Sequence, residues 1–340
     1  MEHAQSILLL GPPPIESNAA YVLNNTIPYL ILLLNYVLFQ LLRSLANKFF
    51  PKSQVSSSGK ARLARLLIEE LISTCELCAD CAELNVVYEK HGSLAYGVAL
   101  FFLSYVWIGA FGDAHTTPAY LAEDYFLDKG SALFKTGDTY ARFIGQSLAM
   151  PLAWRVATVY WKYHLLSEHS SMLKVEDCRS SLTTSSLNGF MIESICCFIS
   201  RLTELFGHKL QQQGYMTRRA ISVICSFICS LLVVMALDLS GGYFNPVLAA
   251  SLEYGCKGIE WHQHALVFWL GPMAGHVLAR AMYRHFMGNE ESPQRPNLER
   301  QKSQQKRNTS SSQRKLTEQA QPTKAARTSP RKKSRLDKID

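Results

Sequence analysis

Charge is what this 340-residue chain withholds, and it withholds it in blocks. No Asp, Glu, Lys or Arg occurs in residues 17–42, 92–112, 143–154, 180–192, 220–237 or 261–279. Several of these runs approach the ~20 apolar residues that a membrane-spanning helix needs. Lys and Arg are also missing from all of residues 1–42. The first run therefore lacks the basic flank of a secretory signal peptide, and it lacks a small-residue cleavage site as well. It reads as a retained hydrophobic segment. Catalytic signatures are missing too: Ser, His and Asp are present, but there is no nucleophile elbow, no HExxH zinc pair and no phosphate-binding loop. Those absences argue against an enzyme and call for no cofactor and no metal.

The charge that is present is placed unevenly. The net charge is +8, and the segment from Gly288 onward holds 14 Lys and Arg against 6 Asp and Glu, so the first 287 residues are close to neutral. Arg43, Lys48, Lys52, Lys60, Arg62 and Arg65 cluster directly after the first apolar run. The positive-inside rule puts that cluster in the cytosol. Seven crossings with the N-terminus outside also bring Lys209, Arg218, Arg219 and the basic tail to the cytosolic side. The tail, 288–340, is rich in Ser, Gln, Lys, Arg and Pro and is expected to be disordered. Arg331-Lys332-Lys333-Ser334-Arg335 fits anionic lipid or a nuclear signal, but a solvated cytosolic tail that also helps fix topology is the commoner explanation; a nuclear role, and with it a nucleic-acid partner, is set aside for a polytopic chain.

Residues 63–87 are apolar in outline yet include Glu69, Glu70, Glu76, Asp80 and Glu83. So many carboxylates in a membrane helix must face a protein interior or an interface. Cys75, Cys78 and Cys81 fall on one face of that helix, where small polarizable side chains pack well between helices. Thiols in cytosolic or membrane-buried positions need not pair. His262, His264 and His276 read as polar packing residues of the last helix.

Two tripeptides carry the functional signal. Thr117-Pro118-Ala119 follows the run 92–112, and Asn245-Pro246-Val247 follows the run 220–237. Thr or Asn is a favoured helix N-cap and Pro a favoured first helical residue, so each tripeptide opens a helix. The apolar stretch behind each is too short to span ~30 Å of hydrocarbon. Such half-helices survive at membrane depth where they line a wet cavity. Their N-termini carry partial positive charge, and a meeting of two at the midplane repels cations and protons. Glu70 precedes Pro118 by 48 residues and Glu193 precedes Pro246 by 53, so each half reads as a helix with a buried Glu, a second helix, a half-helix and a third helix. Three crossings per half give the two copies opposite orientation. Each Glu is placed to accept hydrogen bonds from the backbone of its re-entrant loop.

On these residues the chain resembles the aquaporin superfamily, and most closely its unorthodox branch of the aquaporin-eleven and aquaporin-twelve type. The likeness covers about residues 63–284. It is strongest at Phe244-Asn245-Pro246-Val247-Leu248-Ala249-Ala250-Ser251 and at Phe268-Trp269-Leu270-Gly271-Pro272-Met273-Ala274-Gly275, with Gln146 at the place of the third helix's Gln. The resemblance implies an all-α membrane protein: an inverted repeat of six transmembrane helices plus two re-entrant half-helices, here with an extra N-terminal hydrophobic segment. The corresponding division is 1–62 for that segment and its basic linker, 63–287 for the channel domain with repeats at 63–165 and 188–287, and 288–340 for the tail. It also implies one pore per subunit, a homotetramer in the lipid bilayer and an intracellular, reticulum-like membrane, with the plasma membrane as the alternative.

The sequence departs from the orthodox pattern at the pore. Thr117 stands where orthodox members have Asn, and Leu248 stands where their selectivity Arg would be. Counting along the chain puts Val233 and Gly242 at two further filter positions and Gly97 at the fourth. Such a filter lacks strong donors, which favours water together with small neutral solutes such as glycerol or peroxide. The alternative is an aquaporin-fold scaffold with little transport and partners bound through its tail, because an apolar constriction also dewets.

Overall fold

The computed structural model describes residues 18–51, 59–127, 137–174 and 178–287, with side chains from Tyr21 onward. The expectations for the tail at 288–340 lie outside the described residues. In chain order the long helices are α1 (Asn18–Phe49), α2 (Gly59–Ala110), α4 (Asp138–Trp161), α6 (Ser186–Gln212), α7 (Arg218–Ser240) and α10 (Gly271–Met287). Between them lie the short α3 (Ala119–Leu127), α5 (Ser167–Met172), α8 (Pro246–Glu253) and α9 (Trp261–His264), the last running through a π-helical turn, Ala265–Leu270, into α10. Extended pairing among the described residues amounts to one isolated parallel bridge, Arg179 with Lys257.

At 1.5 Å per residue, a straight helix as long as α2 would measure roughly 78 Å, more than twice the hydrocarbon thickness. Gly92 breaks it, with φ +80° and ψ −179°. That region is open to glycine and closed to side chains, so the break sits where the sequence permits it. The Trp107 Nε1 donates to Asp80 Oδ2 at 3.3 Å. These residues lie 12 before and 15 after Gly92, so the two limbs of α2 fold back on each other. Four stretches are long and apolar enough to cross a membrane: residues 21–49, 59–110, 218–240 and 261–287. The helices α4 and α6 have spanning length but are more polar, carrying Arg142 and Arg155, and Arg201 and Glu204.

The packing repeats itself. α4 lies along α2 as α10 lies along α6, and two of the short helices cross to the other half, α3 onto α10 and α8 onto α4. Gly145 and Gly271 make the first two contacts possible. A Cβ at Gly145 would meet Leu67 O at 2.6 Å and Glu70 Cβ at 2.9 Å, and one at Gly271 would meet Glu193 Cβ at 3.1 Å. The small residues thus let each last helix close on the Glu-bearing helix of its own half.

Four of the carboxylates of α2 face protein. Glu70, Glu76 and Asp80 are fully buried and Glu83 nearly so. The helix α1 supplies partners for two of them: Arg43 pairs with Glu76, and Asn35 donates to Asp80 Oδ1 at 3.0 Å. Tyr160 of α4 in turn donates to Asn35, and Trp161 donates to Glu83 at 2.9 Å. Leu30, Leu33, Leu34, Val37 and Leu41 remain exposed on the other face of α1.

Candidate functional site: two capped loops and the cavity beside them

The two tripeptides sit in loops with the same backbone form. Thr116 and Phe244, each just before the capping residue, are non-glycine residues with positive φ, 58° and 53°. Bulky or β-branched residues pay for that conformation, so something must hold both loops. Glu70 holds the first, accepting from the N–H of His115 at 2.7 Å and of Thr116 at 2.9 Å. Glu193 holds the second, accepting from the N–H of Phe244 and from the Ser240 hydroxyl, both at 2.7 Å. The two carboxylates differ in their other partners. Arg142 also donates to Glu70, as does Gln146 at 3.0 Å, whereas among the described residues no cation pairs with Glu193.

The side chain just before each Pro caps the short helix that follows, α3 or α8. Thr117 Oγ1 accepts from Ala119 N at 3.3 Å, and Asn245 Oδ1 accepts from Val247 N at 3.1 Å, with Pro246 in the first turn. The Asn245 amide then donates to Thr116 O across 129 residues of sequence, at 2.8 Å. One hydrogen bond therefore ties the two loops together and brings both helix N-termini to the same place.

A cavity of about 1360 Å³ lies beside this junction, and Cys81, Asn85, Tyr96, Asp238, Gly242 and Leu248 belong to its wall. Val233 is buried in the same apolar cluster as Leu248 and Tyr96. Gly242, with φ +62°, lies against it, since a Cβ there would meet Val233 O at 2.9 Å. Three of the four filter positions counted from the sequence are thus neighbours. Gly97 sits on the contact with α7, where an added Cβ would be 2.7 Å from Val234 Cγ2. The residue of that limb on the cavity wall is Tyr96.

No family model matches the chain. Curated relatives do. Aquaporin-11 of Milnesium tardigradum is 31% identical over 237 residues, which are 68% of this chain and 82% of that protein. The chain belongs to the aquaporin family. Mouse aquaporin-12 is 26% identical over 63% of this chain and 72% of its own length. Human aquaporin-11 is 24% identical over 66% and 80%. These relatives place this aquaporin in the unorthodox branch.

Two features of this aquaporin escaped the sequence reading. Cys178 and Cys256 form a disulfide, with Cα atoms 5.0 Å apart, a pairing the sequence reading did not propose. The pairing residues lie in the connections before α6 and after α8, where Ser180 N donates to Lys257 O at 2.8 Å and Lys257 N to Cys178 O at 3.0 Å. Ser181 then donates through N at 2.9 Å and Oγ at 2.8 Å to Glu253, the last residue of α8. Cysteine spacing gave no warning, because the partners are 78 residues apart. Cys75, Cys78 and Cys81 are buried free thiols in the core, in keeping with packing.

The second feature clamps the far end of α3. Glu123 is fully buried and accepts from Arg201 Nε at 2.8 Å, Arg201 Nη2 at 2.6 Å and Arg280 Nη1 at 2.8 Å. His276 Nδ1 stands 3.5 Å from the same carboxylate, and Arg284 donates to Leu127 O at 2.7 Å. That last bond satisfies a carbonyl at the negative end of the helix. The signal was legible in principle: Arg201 and Arg280 interrupt charge-poor helices, and such residues seek a buried acid. His264 packs edge-on against Phe268, and His262 is exposed beside Glu260.

Proposed function

We propose that this aquaporin is a passive membrane channel for water and for small neutral solutes such as glycerol or hydrogen peroxide. The observation that carries this reading is the Asn245 to Thr116 hydrogen bond, which joins two capped half-helices end to end beside a cavity. In this reading the two limbs of α2, then α4, α6, α7 and the final helix from Trp261 to Met287, are the six crossings. α3 and α8 are the re-entrant half-helices, and α1 is an additional crossing. Thr117, Pro118, Ala119, Asn245, Pro246 and Val247 form the constriction, and both positive helix ends exclude cations and protons there. Val233, Gly242 and Leu248 form a filter without fixed charge. Glu70, Glu193 and Gln146 support the loops and take no part in permeation.

Topology follows with the N-terminus outside and the basic tail in the cytosol. The Cys178–Cys256 disulfide supports it, since this topology puts both cysteines on the non-cytosolic side, where disulfides persist. An oxidising reticulum lumen and the cell exterior both satisfy that condition; the resemblance to the unorthodox branch favours the former, and it also favours a homotetramer. A scaffold with little transport is the second reading, favoured by the apolar character of Val233, Gly242 and Leu248, because a ring without polar groups dewets. Vesicles containing the purified protein, tested by stopped flow with water, glycerol and peroxide, decide between the two. Permeability above that of empty vesicles supports the channel. Equality for all three solutes leaves the scaffold.

A further inference from the structure

A second groove, of about 350 Å³, runs between α6 and α7 and shares no residue with the cavity beside the two loops. Its wall is mostly apolar: Ile199, Phe206 and Leu210 come from α6, Met216 from the turn, and Ile221 and Cys225 from α7. The two helices touch at its floor, where a Cβ on Gly207 would stand 2.8 Å from Ile221 Cγ2. Ile199, Leu210 and Ile224 are exposed, so the groove opens outward from the bundle. At its end stand Arg218 and Arg219, both exposed. Arg218 precedes Ile221 by three residues and Cys225 by seven, which puts the cation on the same stripe of α7 as the apolar wall.

Among the described residues neither arginine meets an acid, and the first turn of α7 contains none. A second copy of the chain, turned about the membrane normal, offers no remedy. The exposed acids among the described residues, Glu89, Asp238 and Glu260, lie around the cavity at the opposite end of the bundle. Fixing topology calls for cations in this turn, but not for their register with a groove. We propose that the groove holds an anionic phospholipid of the cytosolic leaflet. One acyl chain lies along Phe206, Ile221 and Cys225, and the phosphate sits on Arg218 and Arg219. The cytosolic leaflet is the one rich in anionic serine and inositol lipids, and basic sites between membrane helices on that side suit such headgroups. The proposal rests on the topology given above and not on transport, so it is independent of whether the pore conducts.

Purified protein in detergent is titrated with phosphatidylserine, with phosphatidylcholine of the same acyl chains, and with water-soluble glycerophosphoserine, while thermal unfolding is followed. Phosphatidylserine is expected to stabilise the parent at a concentration roughly five- to twentyfold below that needed of phosphatidylcholine, the worth of one or two arginines at an anionic headgroup. Arg218→Gln combined with Arg219→Gln is expected to erase that difference and to leave the lipid-free unfolding temperature near the parent's. Ile224→Trp fills the groove from an exposed position and is expected to weaken the effect of both lipids. Equal action of the two lipids on the parent overturns the proposal, as does a preference for phosphatidylserine that survives the double Gln variant. Glycerophosphoserine acting as well as the whole lipid also overturns it, since the groove then contributes nothing. A parent indifferent to lipid whose oligomer is split by Ile224→Trp gives the groove to a second copy instead. Labelling of Tyr215→Cys, an exposed position in the turn, by a membrane-impermeant maleimide reports the leaflet separately. Labelling from the non-cytosolic side overturns the leaflet and the topology together, whatever the vesicle assays say of the channel.

Discussion

Glu70 and Glu193 hold loops of the same backbone form with different chemistry, and substitutions should expose the difference. Glutamine keeps one accepting oxygen and loses the charge. At Glu193 the partners are neutral donors, so Glu193→Gln forfeits about one hydrogen bond, about 1–3 kcal/mol. At Glu70 the same change also strips a largely buried Arg142 of its counter-charge, for which about 3–5 kcal/mol is typical. Thermal unfolding in detergent should therefore rank Glu70→Gln below Glu193→Gln, and the reverse order would contradict the assigned pairing. Leu248→Arg adds a long cationic side chain to the cavity wall. Glycerol flux should fall more than water flux, and an equal fall in both would remove Leu248 from the filter. Legibility at this scale followed chemistry. Pro, Asn, Thr and Glu stand out because few other roles suit them beside such apolar runs, whereas Val233, Gly242 and Gly97 were reached by counting along the chain. Counting along a helix carries no information on its rotation, and in the structure Tyr96, one residue or about 100° of turn from Gly97, lies on the cavity wall.

Among the elements, α1 and the disulfide-stapled connection were the least legible. The sequence showed an apolar run at 17–42 and a row of acids on the next helix, but nothing local said that one answers the other. The pairing of Arg43 with Glu76 is a long-range contact that only the assembled bundle reveals. If α1 is an integral helix, Arg43→Leu alone should lower the unfolding temperature by leaving Glu76 buried without its cation. Arg43→Leu combined with Glu76→Leu should recover most of the loss, since an apolar pair of similar volume replaces a buried ion pair at little cost. A double variant as unstable as Arg43→Leu alone would show that the pair does not couple the two helices. The disulfide makes a second element-level prediction. It closes a long loop, and its removal should cost about 2–4 kcal/mol. Cys178→Ser, Cys256→Ser and the double variant should be destabilised alike, and each should behave under non-reducing conditions as the reduced parent does. A double variant much less stable than either single one would mean that the two thiols act separately.

For the whole molecule, the pattern of two halves was visible in the spacing of Glu70, Pro118, Glu193 and Pro246, because a duplicated loop must repeat its cap and its carboxylate together. The crossing of α3 onto α10 and of α8 onto α4 was not visible, since sequence spacing orders elements along the chain and says little about contacts between halves. In the proposed channel that exchange supplies the central feature, the two positive helix ends brought together by the Asn245 to Thr116 bond. The most direct measurement is a paired one: osmotic water flux and proton flux in the same reconstituted vesicles, each compared with empty vesicles. The account predicts water flux well above the empty control and proton flux equal to it. Water flux no greater than the control, or protons passing along with water, would contradict it.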